Sequence, residues 1–211
     1  MNKFGLDKQY YSFDYRNVHF LALSTELKSD EYDDQFQFAS DDLANARLDN
    51  KIDWIIVFQH KPLYSGSGLE IPELREQYHH LFEKYHVDLV LAGHAHNYQR
   101  SYPILYNEIR PARPTITDHE KLQYFDLQGT IFVIAGTGGE SIQGADMKPF
   151  LAKIYQGYGC IDIQIRGKQL RAEYYSDDGK TIDEFSIIKD KSNFNEFNSE
   201  NKIHQGAYNE Y

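Results

Sequence analysis

The chain has 211 residues, of which 41% are apolar and 26% charged, so it is long enough for one sizeable domain with a hydrophobic core. Its formal net charge of −10 excludes nucleic acid as an electrostatic partner, because a polyanion would be repelled and no lysine or arginine stripe offsets the repulsion. It contains no apolar run of signal-peptide length and no membrane-spanning stretch, so we expect a soluble chain of undefined compartment with no membrane partner.

The first elements predicted are a hairpin and a helix. Residues 10–15 alternate aromatic and polar side chains, residues 18–23 are mostly apolar, and Arg16 and Asn17 form the turn between them. Residues 36–48 place apolar side chains at helical spacing after an acidic first turn. The aromatic share of 15% is typical of strand-rich proteins, so we expect more sheet than helix.

The next stretch predicts a strand, a helix and a second strand. Residues 54–58 and 87–92 are mostly apolar on both faces, which indicates strands buried on both sides. Between them, residues 72–85 repeat apolar side chains every three or four positions and begin with a proline suited to a first helical turn. The two strands should therefore be parallel, with the helix covering one face of the sheet.

The remaining sequence predicts shorter strands in an antiparallel meander. The expected strands cover residues 129–135, 158–166, 170–175 and 181–188. Residues 110–126, which include two prolines, suggest a long surface loop. We expect one folded unit over residues 1–189 and a polar, disordered tail over residues 190–211.

Three histidines follow the two strands that are apolar on both faces. His60 comes just after the first strand, and His94 and His96 come just after the second. Because ligand sites form beyond the carboxyl ends of parallel strands, these imidazoles should converge. Imidazole is a common ligand of zinc, iron and manganese. Gly93 should allow a sharp turn, and the i, i+2 spacing should let His94 and His96 point to different positions in an irregular loop. We predict a metal site at His60, His94 and His96.

Several motifs in one order give the chain a family resemblance. They are YSFDY at 11–15, VHFLAL at 18–23, QHKPLY at 59–64, GHAHNYQRSYP at 93–103, GTGG at 136–139 and DGKTID at 178–183. In this order the chain resembles the calcineurin-like metallophosphoesterase superfamily, and in particular its purple acid phosphatase branch. The resemblance covers about residues 10–189.

The resemblance implies an α/β fold, namely the carboxyl-terminal half of the metallophosphoesterase β-sandwich, with mixed sheets, flanking helices and a β-α-β unit before the meander. It implies hydrolysis of phosphoric esters at a two-metal site. His60 and His94 would bind the more exchangeable divalent ion and His96 the other, with iron paired with zinc, manganese or iron. Metal-bound water would attack phosphorus directly.

The sequence departs from the family pattern on the amino-terminal side. The Asp-containing first strand, the Gly-Asp motif and the Gly-Asn-His motif are absent from the 211 residues. We therefore expect weak or partial metal occupancy of this chain. Two hypotheses remain: a phosphoesterase whose site another segment completes, and a catalytically silent scaffold or interaction module. A structural β domain with incidental histidines is a third, less favoured, reading.

The predicted partners follow from the same comparison with the family. A small phosphorylated substrate is expected, with Asn97 and Arg100 as candidate substrate-binding residues close to His96 in the sequence. Strands missing from the sheets would leave an open edge and an apolar face, so we expect a homodimer or a complementing amino-terminal segment. Alternatively, residues 110–126 could fold back over the gap.

Overall fold

The computed structural model describes residues 9–28 and 31–189, and the predicted tail, residues 190–211, lies outside that part. Its elements are β1 (Tyr11–Tyr15), β2 (Val18–Leu23), α1 (Tyr32–Leu48), β3 (Trp54–Gln59), α2 (Pro72–Lys84), β4 (Leu89–Ala92), β5 (Tyr98–Ser101), β6 (Ile104–Leu105), β7 (Thr115–Ile116), β8 (Gln123–Phe125), β9 (Ile131–Ala135), β10 (Leu151–Tyr155), β11 (Gly159–Arg166), β12 (Gln169–Ser176) and β13 (Thr181–Ile188). Sheet outweighs helix, as the aromatic content predicts. No helix in the described ranges is long and apolar enough to cross a membrane.

The larger sheet has seven strands in the order β1-β2-β3-β4-β9-β5-β10. Strands β1 and β2 form the predicted antiparallel hairpin, and β2, β3, β4 and β9 run parallel to one another. The expected β3-α2-β4 unit is thus confirmed. It forms because β3 is apolar on both faces, with one face available to the helices and the other to a second sheet.

The smaller sheet has four strands in the order β11-β12-β13-β8 and packs on the larger one. Strands β11, β12 and β13 form the predicted antiparallel meander. Between the two sheets lie fully buried aromatic side chains, among them Trp54, Tyr98 and Tyr174. On the other face of the larger sheet, α1 and α2 bury Leu43 and Phe82 against it. The chain therefore has the expected α/β sandwich with helices on one side.

Two predictions about the later chain were wrong. Residues 110–126 are not one long surface loop, since β7 pairs with β6 and β8 pairs in parallel with β13. Tyr124 in β8 is fully buried between the sheets, which explains why this strand is fixed there. Residues 129–135 were expected in the meander, but β9 lies beside β4 in the larger sheet, because an apolar strand buried on both faces suits a central position.

Candidate metal centre

The three predicted histidines follow the carboxyl ends of neighbouring parallel strands. Gln59, the last residue of β3, is paired with Ala92, the last residue of β4, so the two loops leave the sheet at the same level. The Gly93 N–H donates a hydrogen bond of 3.0 Å to the carbonyl oxygen of His60. This bond joins the two loops directly at the edge where ligands bind in such sheets.

His60 and His94 meet at this edge with their ring nitrogens facing each other. Nδ1 of His94 lies 3.2 Å from Nε2 of His60, and the two rings are close to perpendicular. Partial burial, followed by the nearby His60 and Lys61, lowers the pKa of His94, which favours its neutral form. Two nitrogens bound to one tetrahedral ion at roughly 2.0–2.1 Å would be about 3.3 Å apart, so this pair fits a shared cation.

The turn that carries His94 contains a residue in the left-handed region. The residue in the left-handed region is His94 itself, with φ of 63°, whereas Gly93 does not have a positive φ. A strained non-glycine backbone of this kind persists only where its surroundings hold it. One such contact is Gly136, where an added Cβ would lie 2.2 Å from the carbonyl oxygen of Ala95. Gly136 thus packs so closely on the backbone of the histidine loop that a side chain would not fit there.

His96 is held by the loop that follows β9. Its Nδ1 lies 3.1 Å from the carbonyl oxygen of Ser141 and must donate to it, so its Nε2 carries the free lone pair of a neutral ring. Gln143 holds the His96 backbone, because its side chain accepts from the His96 N–H and its own N–H donates to the His96 carbonyl. A carbonyl partner on the second ring nitrogen is typical of metal-binding histidines.

The structure brings His60 and His94 together, while His96 contacts a different loop. Across residues 9–28 and 31–189, no three His, Cys, Asp or Glu side chains converge closely enough to hold a metal ion. The sharing of one centre by all three histidines therefore stays a prediction.

A carboxylate that the sequence analysis did not single out borders the histidines. Glu26, shortly after β2, forms an ion pair of 2.8 Å with Lys61, and the Thr25 hydroxyl accepts from the Lys61 N–H. The hydrogen bond from Lys61 is the main cause that lowers the pKa of Glu26. Glu26 could have been found from its place in the sequence just after β2, because β2 runs parallel to β3 and ends at the same edge.

Comparison with known proteins shows the family to which the chain belongs. A family model described as calcineurin-like phosphoesterase matches residues 4–98, which include His60, His94 and His96. The yellow lupin purple acid phosphatase PPD1 has a solved structure that matches 87% of this chain and 33% of its own, at 32% identity and a TM-score of 0.76. The chain belongs to the calcineurin-like metallophosphoesterase superfamily, in its purple acid phosphatase-like branch.

Relatives in this superfamily differ in their recorded activity. A probable inactive purple acid phosphatase 1 from Arabidopsis thaliana is 36% identical over 198 residues, which are 87% of this chain and 31% of the relative. A phosphoenolpyruvate phosphatase from Allium cepa is 29% identical over 194 residues, which are 85% of this chain and 38% of the relative. The chain spans about a third of the length of these relatives.

Membership of this superfamily implies metal ions, and the donors present fit them only in part. The His60 and His94 nitrogens have a suitable spacing, and the His96 ring is held in a suitable tautomer. The carboxylate ligands that a pair of cations requires do not converge on them within the described ranges. The described residues thus offer neutral nitrogen donors at this edge without converging carboxylates.

Asn97, a predicted substrate-binding residue, is fully buried behind the histidine loop. Its Nδ2 donates to the Ser67 hydroxyl at 2.9 Å and to the Gln143 carbonyl at 3.2 Å, and its Oδ1 accepts from Gln99. These contacts join three loops at the carboxyl edge of the sheet. Substrate binding by Asn97 stays a prediction, and its observed contacts orient the loops.

Arg100, the other predicted substrate-binding residue, is 1% exposed and lies between the sheets. Its guanidinium donates twice to Asp183, at 2.6 and 2.9 Å, and once each to the Tyr124 hydroxyl and the Lys121 carbonyl. Burial opposes the charge, yet the hydrogen bonds and charge of Asp183 raise the pKa of Arg100. Every guanidinium nitrogen thus has a protein partner. A role of Arg100 in substrate binding stays a prediction.

Proposed function

We propose that this chain supplies the histidine ligands of a metal-dependent hydrolase of phosphoric esters. The observation that carries the proposal is the 3.2 Å approach of His94 Nδ1 and His60 Nε2 at the ends of two parallel strands. In the proposed assignment, His60 and His94 bind one ion and His96 binds the other through Nε2. Such ions polarise phosphate oxygens and lower the pKa of bound water.

The acidic surface is compatible with this activity if the substrate is small. A net charge of −10 repels extended polyanions, whereas cations at the site dominate the local field and attract a phosphate group. As in the family that the sequence resembles, the proposed ions are iron together with zinc, manganese or iron. The carboxylate ligands in this proposal come from a polypeptide segment outside the described residues.

Metal binding tests the histidine assignment. We expect weak binding of a divalent ion by this chain, because two cations with only neutral ligands between them would repel each other. The variants His60→Ala and His94→Ala should abolish the binding measured by calorimetry, while His119→Ala, an exposed histidine on the loop before β8, should leave it unchanged. Metal affinity that survives His94→Ala would refute the assignment.

Catalysis is tested by completing the site. The segment of the yellow lupin phosphatase that lies upstream of the matched region would be fused to the amino terminus of this chain. We expect the chain alone to hydrolyse 4-nitrophenyl phosphate negligibly, and the fusion to hydrolyse it in a metal-dependent manner that His94→Ala abolishes. Turnover by the chain alone, with two tightly bound ions, would show that its own residues complete the centre.

The second candidate function is a catalytically silent scaffold or interaction module of the same fold. It is favoured by the lack of any convergent three-ligand group in the described ranges and by a relative designated probable inactive. A folded fusion that binds metal without turnover would support this candidate over the enzyme. A fusion with His94-dependent turnover would exclude it for the completed site.

A further inference from the structure

His96 differs from the other two candidate ligands in how its ring is held. Its Nδ1 lies 3.1 Å from the carbonyl oxygen of Ser141, which can only accept a hydrogen bond, so Nδ1 carries the proton. The His60 and His94 rings instead contact each other, at 3.2 Å. In the described part of the chain, His96 is therefore the one of the three whose proton position is set by a backbone carbonyl.

The carbonyl partner of His96 belongs to the loop between β9 and β10. None of the described residues 136–150 lies in a helix or a strand, so contacts with the rest of the chain must hold this loop beside His96. Gln143 makes two of them. Its Oε1 accepts from the His96 N–H at 3.1 Å, and its own N–H donates to the His96 carbonyl at 3.0 Å. Both backbone polar groups of His96 are thus bonded to one residue.

Gln143 is itself held by Asn97, the residue after His96. The buried Asn97 side chain donates through Nδ2 to the Gln143 carbonyl at 3.2 Å and to the Ser67 hydroxyl at 2.9 Å. Ser67 belongs to the loop that follows β3. Gln143 is therefore anchored both to the His96 segment and, through Asn97, to the loop that begins with His60.

We infer that Gln143 is a positioning residue that keeps the Ser141 carbonyl on Nδ1 of His96 and thereby leaves Nε2 as the free donor of the neutral ring. A neutral imidazole binds a metal through its unprotonated nitrogen, and the hydrogen bond made by the other nitrogen decides which nitrogen that is. The metal at Nε2 rests on the proposed function, whereas the place of the proton does not.

The alternative role for Gln143 is purely structural. Gln143 would then stabilise the loop without any influence on the His96 ring, and its removal would lower the free energy of unfolding while the proton stayed on Nδ1. The place of the proton therefore distinguishes the two roles, which stability alone would not.

Two-bond ¹H–¹⁵N NMR of the imidazole nitrogens in the full chain tests the inference at pH 8, where an ordinary imidazole is neutral. His96→Asn identifies the signals of His96, which should show the Nδ1–H form in the original chain. Gln143→Ala should shift the population toward the Nε2–H form. Gln143→Leu, which fills the space without an acceptor, should do the same, and Gln143→Glu, which keeps an acceptor oxygen, should retain the Nδ1–H form.

The matched control is Met147→Ala, which truncates a side chain that is 61% exposed on the same loop. The proton should stay on Nδ1 in this variant. Circular dichroism shows that each variant is folded. A His96 ring that keeps the Nδ1–H form in folded Gln143→Ala or Gln143→Leu would overturn the inference, and so would an equal shift in Met147→Ala.

A zinc titration followed by the same signals separates this inference from the proposed function. Zinc should shift the Nε2 signal of His96 in the original chain, and Gln143→Ala should raise the dissociation constant read from that signal by about tenfold or more. A proton position that depends on Gln143, in a chain whose His96 signals do not respond to zinc, would support the positioning role and refute His96 as a ligand. A proton position independent of Gln143 would overturn the inference whether or not zinc binds.

Discussion

Two polar clusters in this protein have opposite relations to solvent. The Arg100–Asp183 pair lies between the sheets, where Tyr98 and Tyr124 complete its hydrogen bonds. The His60–His94 pair lies at the open edge of the larger sheet, where the partner of each ring is the other ring. A polar group whose partners are all internal stabilises the fold, whereas two imidazoles that contact only each other at strand ends can exchange that contact for a ligand.

The contrast shows why proximity to a motif in the sequence does not assign function. Arg100 lies four residues after His96, and this spacing motivated its predicted contact with substrate. Because β5 begins at Tyr98, the chain has already entered the sheet at Arg100, and the side chain turns toward the smaller sheet. The predicted metal-binding residues of this region, in contrast, lie in the loop before β5.

The largest expected effect is on the stability of the fold, at the buried Arg100–Asp183 pair. Arg100→Ala leaves the Asp183 carboxylate buried without its cation and should destabilise the fold by about 3–5 kcal/mol. His60→Ala, at an exposed loop, should change the free energy of unfolding by less than about 0.5 kcal/mol. Urea unfolding of both variants measures the difference. Comparable losses of stability in the two variants would contradict the view that the Arg100–Asp183 pair, and not the His60–His94 pair, stabilises the fold.

A second prediction concerns the contact between Gly136 and the loop that carries His94. Gly136→Ala forces a Cβ toward the Ala95 carbonyl at 2.2 Å and should cost about 1–3 kcal/mol, together with a loss of metal affinity. Gly138→Ala is the matched control, since an added Cβ there meets no atom within 4 Å. Urea unfolding and metal calorimetry check both. Equal behaviour of the two variants would show that the loop adapts freely.

The third prediction extends the comparison to His79, a fully buried histidine on α2. Burial is the main cause that lowers its pKa to about 3, while the Tyr64 hydroxyl lies 2.7 Å from its Nδ1. As pH falls below 6.5, the unfolded chain binds a proton that the folded chain does not. Stability should therefore fall by roughly 1 kcal/mol per pH unit between pH 6 and 4 from this group alone.

His79→Leu removes this titration, so the pH dependence of its urea midpoint should be flatter than that of the original chain. Arg75, His80 and Glu83 also lie near His79 and contribute to the remaining slope. His119→Ala serves as the control because that ring is exposed. An unchanged slope in His79→Leu would mean that His79 titrates normally in the folded chain.

The smallest expected effect concerns His19. Its contribution to stability should fall as pH rises, whereas that of His79 should fall as pH drops. Burial lowers its pKa, but the hydrogen bonds and charges of Asp42 and Asp14 outweigh burial, so the net pKa is raised. The stabilisation is present below pH 6.5 and is lost as pH rises through the folded-state pKa. His19→Gln should therefore lose less stability than the original chain when pH rises from 6 to 8. Equal losses of the free energy of unfolding, measured in urea, would argue against stabilisation by a charged His19 between Asp14 and Asp42.

Sequence patterns predicted best where apolar side chains decide the structure. Strands β3 and β4 are apolar on both faces, and with the helix between them this predicted their parallel pairing and the common edge of the loops that carry the three histidines. Strand β5 was missed because Gln99, Arg100 and Ser101 are polar yet buried. Their partners lie far away in the sequence, as with Ser101, which accepts from the Phe132 N–H. Local patterns do not contain such partners.

The candidate site shows the same limit on a smaller scale. The sequence placed His60 and His94 at one edge, but it did not predict that His94 itself lies in the left-handed region. The left-handed backbone of His94 depends on surrounding contacts, including the close approach of Gly136 to Ala95. The hydrogen bonds that orient His96 likewise come from Ser141 and Gln143, on a loop more than forty residues later in the chain.

The hydrogen bond from Gly93 N–H to the His60 carbonyl joins the two loops at one point. This proton can exchange with deuterium only when the loops separate, so its exchange rate measures how often they open. A ligand that binds His60 and His94 together would favour the closed arrangement and slow the exchange. The exchange of one amide proton therefore reports the separation of both loops. Hydrogen exchange observes such opening over minutes to hours.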